Sequence, residues 1–520
     1  MRALLASTIA VVSIVSQLAW AGENGEPNRG APGIKPISGT WLNLFNQDVR
    51  NKYTNPAGVD ITAPALWRCK IREMSEMGVK YLVFMAVANE GKAMYESDFM
   101  PAAYPAGRES PVEAIMKAAD ENGMKVFLST GWAVNQDDDM EKPEIRGLHL
   151  KIMRECAAKF ARHPSFFGWY FPCEFSAAPW IPDAAIEGVN TLAAEARKLT
   201  PGAKTMISPW VVTKVVAKDY FQLKTEFSYI GQLKKLNVDI IAYQDGVGSA
   251  LATGPQSKRI YGKLRDVHNL VPHLAMWANV ETFTWDGEKN ERDSPLVPAA
   301  FPRVLSQLAI VSPYVDETIS FIVQGMLDKP GSPMPLGEAV YSSKMAGDYL
   351  DFLAGTGRWP LLAASCTGTL SHEAVGKAVT LTAPPAPKYG KGNLTDGAFG
   401  VEDKTAAEWL GFERRDMEAI IDLGQTTRIK TLAARFLQRS AAGIALPTRV
   451  DFAVSGNGRD FAAAASVTPE TWPHNEHDAW IDMAVADRLN LRGRYVRVRA
   501  VNAGQWLFVD ELLVNPTVKK

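Results

Sequence analysis

Two glutamates each end an apolar run crowded with aromatic side chains. The runs are Gly168-Trp169-Tyr170-Phe171-Pro172-Cys173-Glu174 and Trp277-Ala278-Asn279-Val280-Glu281. Two carboxylates facing each other across a sugar are what cleavage of a glycosidic bond needs. One protonates the leaving oxygen while the other attacks or activates water. An apolar, aromatic rim would raise the pKa of the acid partner and keep it protonated near neutrality. A lone glutamate after a strand more simply caps a helix or pairs with a loop arginine; the conjunction of two such ends with aromatic neighbours is what points to catalysis. Other residues at strand ends are Asn43, Asn46, Asn89, Glu90, Trp132, Trp210, Gln244, Asp245, Trp285 and Asp286. Trp132, Trp210 and Trp285 could stack on pyranose faces or pack under loops. Asp245 could bind substrate or merely make the turn before Gly246. No His pair or carboxylate cluster in this region has metal-site spacing.

These residues need a scaffold that gathers strand ends at one face. From about residue 37 to 325 the chain repeats a short apolar strand, a polar loop and an amphipathic helix. In the clearest unit Ser110 is the helix N-cap, Pro111 fits the first helical position and Glu113 completes a capping box. Val112, Ile115, Met116 and Ala119 mark one face, Gly123 ends the helix, and the apolar run from Lys125 to Thr130 follows. The pattern predicts eight strands: Ile37–Phe45, Val79–Val87, Lys125–Thr130, Phe166–Phe171, Lys204–Ser208, Val238–Tyr243, His273–Asn279 and Thr318–Gln324. Strict alternation with helices implies parallel strands and right-handed crossovers, and eight units favour a closed (β/α)8 TIM barrel over an open sheet. No Gly-rich GxGxxG turn follows any strand, which weakens a dinucleotide-binding alternative. In such a barrel, function gathers where the strands end, so Glu174 closes strand four and Glu281 strand seven.

The remainder of the chain sets the context. Arg2, the apolar run Ala3 to Val15 and Ala19-Trp20-Ala21 have the form of a secretory signal peptide over residues 1–21, which predicts a secreted or periplasmic protein without membrane insertion. With 56 Lys+Arg against 57 Asp+Glu, a net charge of -1 leaves no electrostatic footprint for nucleic acid. The 4 cysteines show no CxxC pair, so neither zinc nor a dithiol site is indicated. Helical periodicity fades after Leu353, and short alternating strands follow: Ala419–Leu423, Lys430–Phe436, Arg449–Ser455, Arg494–Ala500 and Trp506–Leu513. They read as an antiparallel sandwich. The expected organisation is a barrel over 33–355, a linker over 356–368 and a sandwich over 369–517. Each part should bury its own core, with the sandwich an accessory whose loss spares the chemistry.

Two resemblances sharpen this reading. The barrel resembles the clan A retaining glycosidases, and more closely a bacterial barrel family described only as candidate glycoside hydrolases. The likeness rests on strand placement and on Trp169-Tyr170 to Glu174. It implies that Glu174 is the acid/base and Glu281 the nucleophile, with Tyr243 touching the nucleophile. Cys173 departs from the Asn that most members carry before the acid/base. Gly376-Lys377-Ala378-Val379, Asn393 to Gly397, Glu408-Trp409, Ile421 to Gly424, Val454 to Gly458 and Arg494 to Val498 occur in order. They resemble the discoidin, or factor 5/8 type C, jelly-roll fold common among carbohydrate-binding modules. That resemblance implies a structural calcium at Asp396 and Glu511, where hard oxygen ligands would suit the ion; a plain turn and a solvated Glu are the alternative. No cofactor is expected for catalysis. The sequence thus predicts an extracytoplasmic retaining glycoside hydrolase acting on a polysaccharide or glycan. Trp132, Trp210, Asn89, Gln244 and Trp285 join Tyr243 as candidate substrate contacts. The alternative is a non-catalytic carbohydrate-binding or adhesion protein whose barrel is inactive.

Overall fold

The computed structural model describes residues 33–45, 55, 57–134, 142–172, 174–176, 181–211, 229–286, 296–337, 339–473, 475 and 477–519. The expected signal segment, Asn46 and Cys173 lie outside the described residues. Eight parallel strands close into a barrel in chain order: β1 (Gly39–Leu42), β2 (Tyr81–Phe84), β3 (Lys125–Ser129), β4 (Phe166–Tyr170), β5 (Lys204–Ile207), β6 (Ile240–Gln244), β7 (Ala275–Glu281) and β8 (Glu317–Phe321). Helices α1 (Pro64–Glu76), α2 (Pro111–Glu121), α3 (Pro143–Phe160), α4 (Asp183–Leu199), α5 (Tyr229–Lys235), α6 (Gly254–His268) and α7 (Phe301–Val311) separate successive strands, and α8 (Ala339–Ala354) follows the last. Each strand falls where the sequence placed it, shortened by a few residues at most ends. Three strands also reach past an expected end: β6 runs one residue further to Gln244, β8 starts one residue earlier at Glu317, and β7 runs two residues further and takes Glu281 into the strand itself. At α2 the Ser110 hydroxyl accepts the Glu113 N–H at 3.2 Å, as expected of the cap. The Glu113 carboxylate, however, turns to Lys117 at 3.1 Å.

Register fixes which side chains fill the barrel. Pairings such as Trp41 with Val83, Val83 with Phe127, Phe127 with Gly168, Gln244 with Asn279 and Glu281 with Phe321 put these residues on one face. Paired residues of parallel neighbours point the same way. Ring contacts across the barrel identify that face as the interior: Trp277 lies 4.9 Å from Tyr81 and 6.0 Å from Phe127, centre to centre. Close strand approach also needs a small residue. A Cβ on Gly168 would sit 2.1 Å from the Lys204 carbonyl oxygen, so no side chain fits there.

Beyond the barrel lie two antiparallel sheets. One has the order β9 (Ala378–Leu381), β11 (Met417–Ile429), β16 (Leu491–Val501), β13 (Arg449–Ser455), β14 (Ala462–Val467). The other has the order β10 (Leu410–Glu413), β17 (Trp506–Val514), β12 (Leu432–Arg439), β15 (Ala479–Ala486). The sheets differ in what covers their outer faces. In β11 buried residues alternate with half-buried ones over Met417–Leu423, the mark of a sheet with one face turned to water. In β12 both faces are buried: Leu432, Ala434 and Phe436 enter the sandwich core, while Ala433 and Leu437 join the barrel's core. Trp472, Trp480, Met483 and Phe508 also lie in that shared core.

The expected linker proves to be part of this joint. Residues Trp359–Thr367 form helix α9, and the Trp359 ring packs 4.8 Å from Phe301 on α7. The segment WPLLAASCT is apolar all round, as a helix buried on several sides must be, so it offers no amphipathic period to read. Arg435, buried in the joint, pairs with Asp510 and donates to the Ser365 hydroxyl of α9 at 3.2 Å. Among the described residues Cys69, Cys156 and Cys366 are free, and no helix is long and apolar enough to cross a membrane.

Candidate active site

Glu281 is the last residue of β7, and it points inward because Asn279 and Trp277, two and four residues before, do so. It is only 5 % exposed. The loop after β6 lies directly on it: a Cβ at Gly248 would come within 2.7 Å of the Glu281 Cβ. That bare backbone lets the Ser249 N–H donate to Glu281 Oε2 at 2.6 Å. Behind the strand, the Glu281 carbonyl accepts from Gln307 Nε2 at 3.0 Å and Arg303 Nη2 at 3.2 Å. Its N–H donates to Asp245 Oδ1 at 3.2 Å. Asp245 also accepts from the Val247 N–H at 3.3 Å and from Gln307 Nε2 at 2.7 Å. It is therefore the turn residue of the two roles the sequence left open, and it braces Glu281 from outside the barrel. Burial pushes both carboxyl groups above the usual carboxylate range, and the neighbouring Asp245 charge pushes Glu281 further. The pair thus retains a proton on Glu281 at pH values where an ordinary glutamate has lost it.

Glu174, past the end of β4, is exposed at the barrel mouth. Surrounding protein still strips enough of its hydration to raise its pKa. The β4–β5 pairing continues above the strands, where the Trp210 N–H donates to the Phe175 carbonyl at 3.3 Å. Trp210 thereby stands beside the Glu174 segment. Between the two glutamates the interior turns polar. Trp41 packs edge-on against Tyr170 with ring centres 4.5 Å apart, and its Nε1 is buried with no partner. Asn43 Nδ2 and Asn279 Oδ1 are likewise buried and partnerless. Such an orphaned group costs about 1–3 kcal/mol unless something else satisfies it. The inward-facing described residues of this upper layer include Ser129, Tyr170, Ser208, Gln244 and Phe321, and none is Lys or Arg.

The remaining candidates divide. Gln244 faces inward and its Nε2 donates to the Ser208 carbonyl at 3.1 Å. Asn89 and Trp132 come together at the ends of β2 and β3, where the Trp132 N–H donates to the Ala88 carbonyl at 3.0 Å. Asn89 Oδ1 is another partnerless atom, while Trp132 is a packed, 4 % exposed side chain. Trp285 follows Glu281, half buried, with its Nε1 partnerless. Tyr243 is a correction. Odd and even positions alternate along β6, and Gln244 takes the inward direction, so Tyr243 points out under the helices. Its hydroxyl meets Tyr229 at 2.7 Å and His268 Nε2 at 2.9 Å, fully buried and away from Glu281. Ser249 N–H supplies the contact that Tyr243 was expected to make. The sequence did not single out Trp41, Asn279, Ser249 or Arg303 as site residues. For two of them a signal existed, since Trp41 and Asn279 precede Asn43 and Glu281 by two and so share their face.

In the sandwich, Asp396 and Glu511 do come together through the turn: the Gly397 N–H donates to Glu511 Oε1 at 3.1 Å. Glu511 Oε2 and the neighbouring Asp510 Oδ1 are buried without partners. Free hard oxygens suit calcium, although carbonyl groups would have to complete its six or more ligands. Among the described residues no group of three or more His, Cys, Asp or Glu could hold a metal ion.

Known proteins can now be set beside this geometry. The chain is similar to a candidate α-L-fucosidase from Bacteroides thetaiotaomicron, 16% identical, covering 65% of this chain and 99% of that chain with a TM-score of 0.50. A second structure of that description from the same organism is 13% identical and covers 91% and 94%, with a TM-score of 0.34. A CBM32 module from Clostridium perfringens, solved with GalNAc-β-1,3-galactose, is 18% identical and covers 27% of this chain and 94% of its own, with a TM-score of 0.21. At these identities the first likeness is one of fold. No curated protein matches the chain. The profile of a family described as a domain of unknown function, DUF4434, matches residues 37–334, more than half of the chain, and the protein belongs to that family.

Proposed function

We propose that the protein is an extracytoplasmic glycoside hydrolase that cleaves a neutral sugar with retention of anomeric configuration. One observation carries the reading. Trp41 Nε1, Asn43 Nδ2 and Asn279 Oδ1 are buried polar atoms without partners, gathered with Glu281 in an upper layer whose described inward-facing residues include no Lys or Arg. Uncharged donors and acceptors between aromatic rings match the hydroxyls and C–H faces of a sugar, whereas a phosphate or carboxylate ligand would call for Arg or Lys. In the proposed reaction a Glu281 oxygen attacks the anomeric carbon as the bond to the leaving oxygen breaks, and Glu174 gives that oxygen its proton. Water then attacks the glycosyl ester while Glu174 takes the water's proton back, and Glu281 leaves as carboxylate. A structural calcium at Asp396 and Glu511 forms a second, separate part of the proposal.

The raised pKa of Glu281 gives the pH dependence a sign. Attack requires its ionised form, and its pKa lies above the ordinary carboxylate range. The acid limb of kcat/KM is therefore expected well above that range, so that activity rises as pH increases toward neutrality. A limb near the pKa of an exposed glutamate would remove Glu281 from the mechanism. The direct test is a panel of aryl glycosides, beginning with α-L-fucosides because the barrel relative bears that name. Product configuration is followed by proton NMR, and azide rescue of Glu281→Ala should give a glycosyl azide of inverted configuration. A sugar-binding barrel that does not cleave is the second reading. It draws on the Gly248–Ser249 backbone, which lies on Glu281 and leaves the carboxyl only slightly accessible. Binding of sugars with no turnover across the panel would favour it.

A further inference from the structure

The β7 strand end is held by a residue of the sandwich. Arg303, the third residue of α7 and 2 % exposed, bridges the two parts of the chain. One side of its guanidinium donates to the carbonyls of Glu281, at 3.2 Å, and Phe283. The other side donates to Asp478 Oδ1 at 2.8 Å. Asp478 belongs to the segment leading into β15. Its second oxygen accepts the hydroxyl of Thr284 at 2.6 Å, just three residues beyond Glu281. Asn475 completes the clamp, with Nδ2 donating to the Thr284 hydroxyl at 3.1 Å and Oδ1 accepting the Asp478 N–H at 3.1 Å. Asp478, Thr284 and Asn475 are all buried. Every atom of this clamp that touches the barrel touches residues 281–284 or the arginine that holds them.

We propose that the sandwich is a working part of the barrel's site, in which Asp478, acting through Arg303 and Thr284, positions the Glu281 carboxylate. The proposal rests on reading Glu281 as the reacting carboxylate. Its physical basis is that buried charge-assisted hydrogen bonds are short and directional, and that three of them converge on one buried strand end. A reacting group displaced by about 1 Å loses up to a hundredfold in rate, so a clamp of this kind acts on kcat more than on binding. It also explains why β12 and β17 bury both faces: a sheet that must hold its neighbour's active site in register cannot hang on a free linker. Asp478 and Arg303 are positioning residues. Neither side chain reaches the barrel interior.

The charged and titratable groups facing Glu281 are Asp245 from the β6 loop, Tyr261 from α6 and Arg303 from α7, with Asp478 behind the arginine. Asp478→Asn leaves the guanidinium without its counter-charge, so its positive field acts more fully on Glu281 and Asp245. Both then ionise at lower pH.

The test uses the full chain and three variants. Asp478→Asn and Thr284→Val cut the clamp at its two ends. Lys344→Ala removes a different contact between the parts, the 2.6 Å pair with Glu470, which touches neither β7 nor α7. Two readouts are taken: amide hydrogen exchange of the peptide covering residues 279–286, and kcat, KM and pH profile on whichever glycoside the wild type hydrolyses. The expectation for both clamp variants is exchange at least about tenfold faster in that peptide and kcat lower by about tenfold with KM little changed. In Asp478→Asn the acid limb should also move to lower pH. Lys344→Ala should change none of these. Unaltered exchange in both clamp variants, or equal effects from Lys344→Ala, overturns the proposal. A wild type without turnover defeats the glycosidase reading instead, and the exchange measurement alone then decides this one.

Discussion

The lower and upper halves of the barrel interior are built from the same strands yet obey opposite rules. Below, Tyr81, Phe127, Phe167 and Trp277 interlock ring against ring, and Lys125 lies over the Tyr81 and Phe167 faces at 5.6 and 4.9 Å. Two and four residues further along β7, the interior carries Asn279 and Glu281. Polar atoms there lack partners, and a carboxyl is driven to hold its proton. A chain shaped only for stability would satisfy or replace those groups, since each orphaned one costs free energy. The lower layer therefore reads as the part that holds the fold and the upper layer as the part kept ready for a ligand.

Substitutions can break or sharpen that contrast. The largest effect on stability is expected below. Trp277→Ala opens a cavity among aromatic rings and should cost about 3–5 kcal/mol in denaturant unfolding. A loss under about 1 kcal/mol would mean the lower layer is not the support described. Above, Asn279→Ala should leave stability within about 1 kcal/mol, because the lost amide was only half satisfied, while kcat/KM or sugar affinity falls by about tenfold. The reverse outcome, large destabilisation with unchanged affinity, would make Asn279 an ordinary core residue. The smallest effect belongs to the sandwich. Without a cation, burial pushes the Glu511 carboxyl up to about 9, so it holds a proton at neutral pH. Added calcium should displace that proton and raise Tm by about 2 °C, and Glu511→Gln should abolish the rise. An unchanged Tm in the wild type would leave the proton, and no metal, in that place.

The same contrast explains what the sequence could and could not reveal. Buried parallel strands are apolar on both faces, so their positions were legible and their facing was not. The run Ile240-Ile241-Ala242-Tyr243 contains nothing that distinguishes inward from outward, and Tyr243 was accordingly assigned to the wrong side. In Trp277-Ala278-Asn279-Val280-Glu281 the alternation is visible, because Asn and Glu interrupt it, and that is where the sequence reading of Glu281 had its footing. Ser249 was beyond reach for another reason: its backbone N–H serves Glu281 alongside its side chain, and no residue type announces a backbone contact. Helix α9 escaped because a helix buried all round has no stripe. Asp478, nearly two hundred residues from Glu281 along the chain, became a neighbour only through the joint between barrel and sandwich.

The central claim is that Glu281 attacks the sugar. It is tested most directly by incubating the protein with the 2-deoxy-2-fluoro analogue of an aryl glycoside it hydrolyses, then mapping the adduct by peptide mass spectrometry. The account predicts one glycosyl group, esterified to Glu281, with labelling lost in Glu281→Gln and turnover by that variant reduced about a thousandfold or more. A label on Glu174, or turnover with inversion and no adduct, would contradict it.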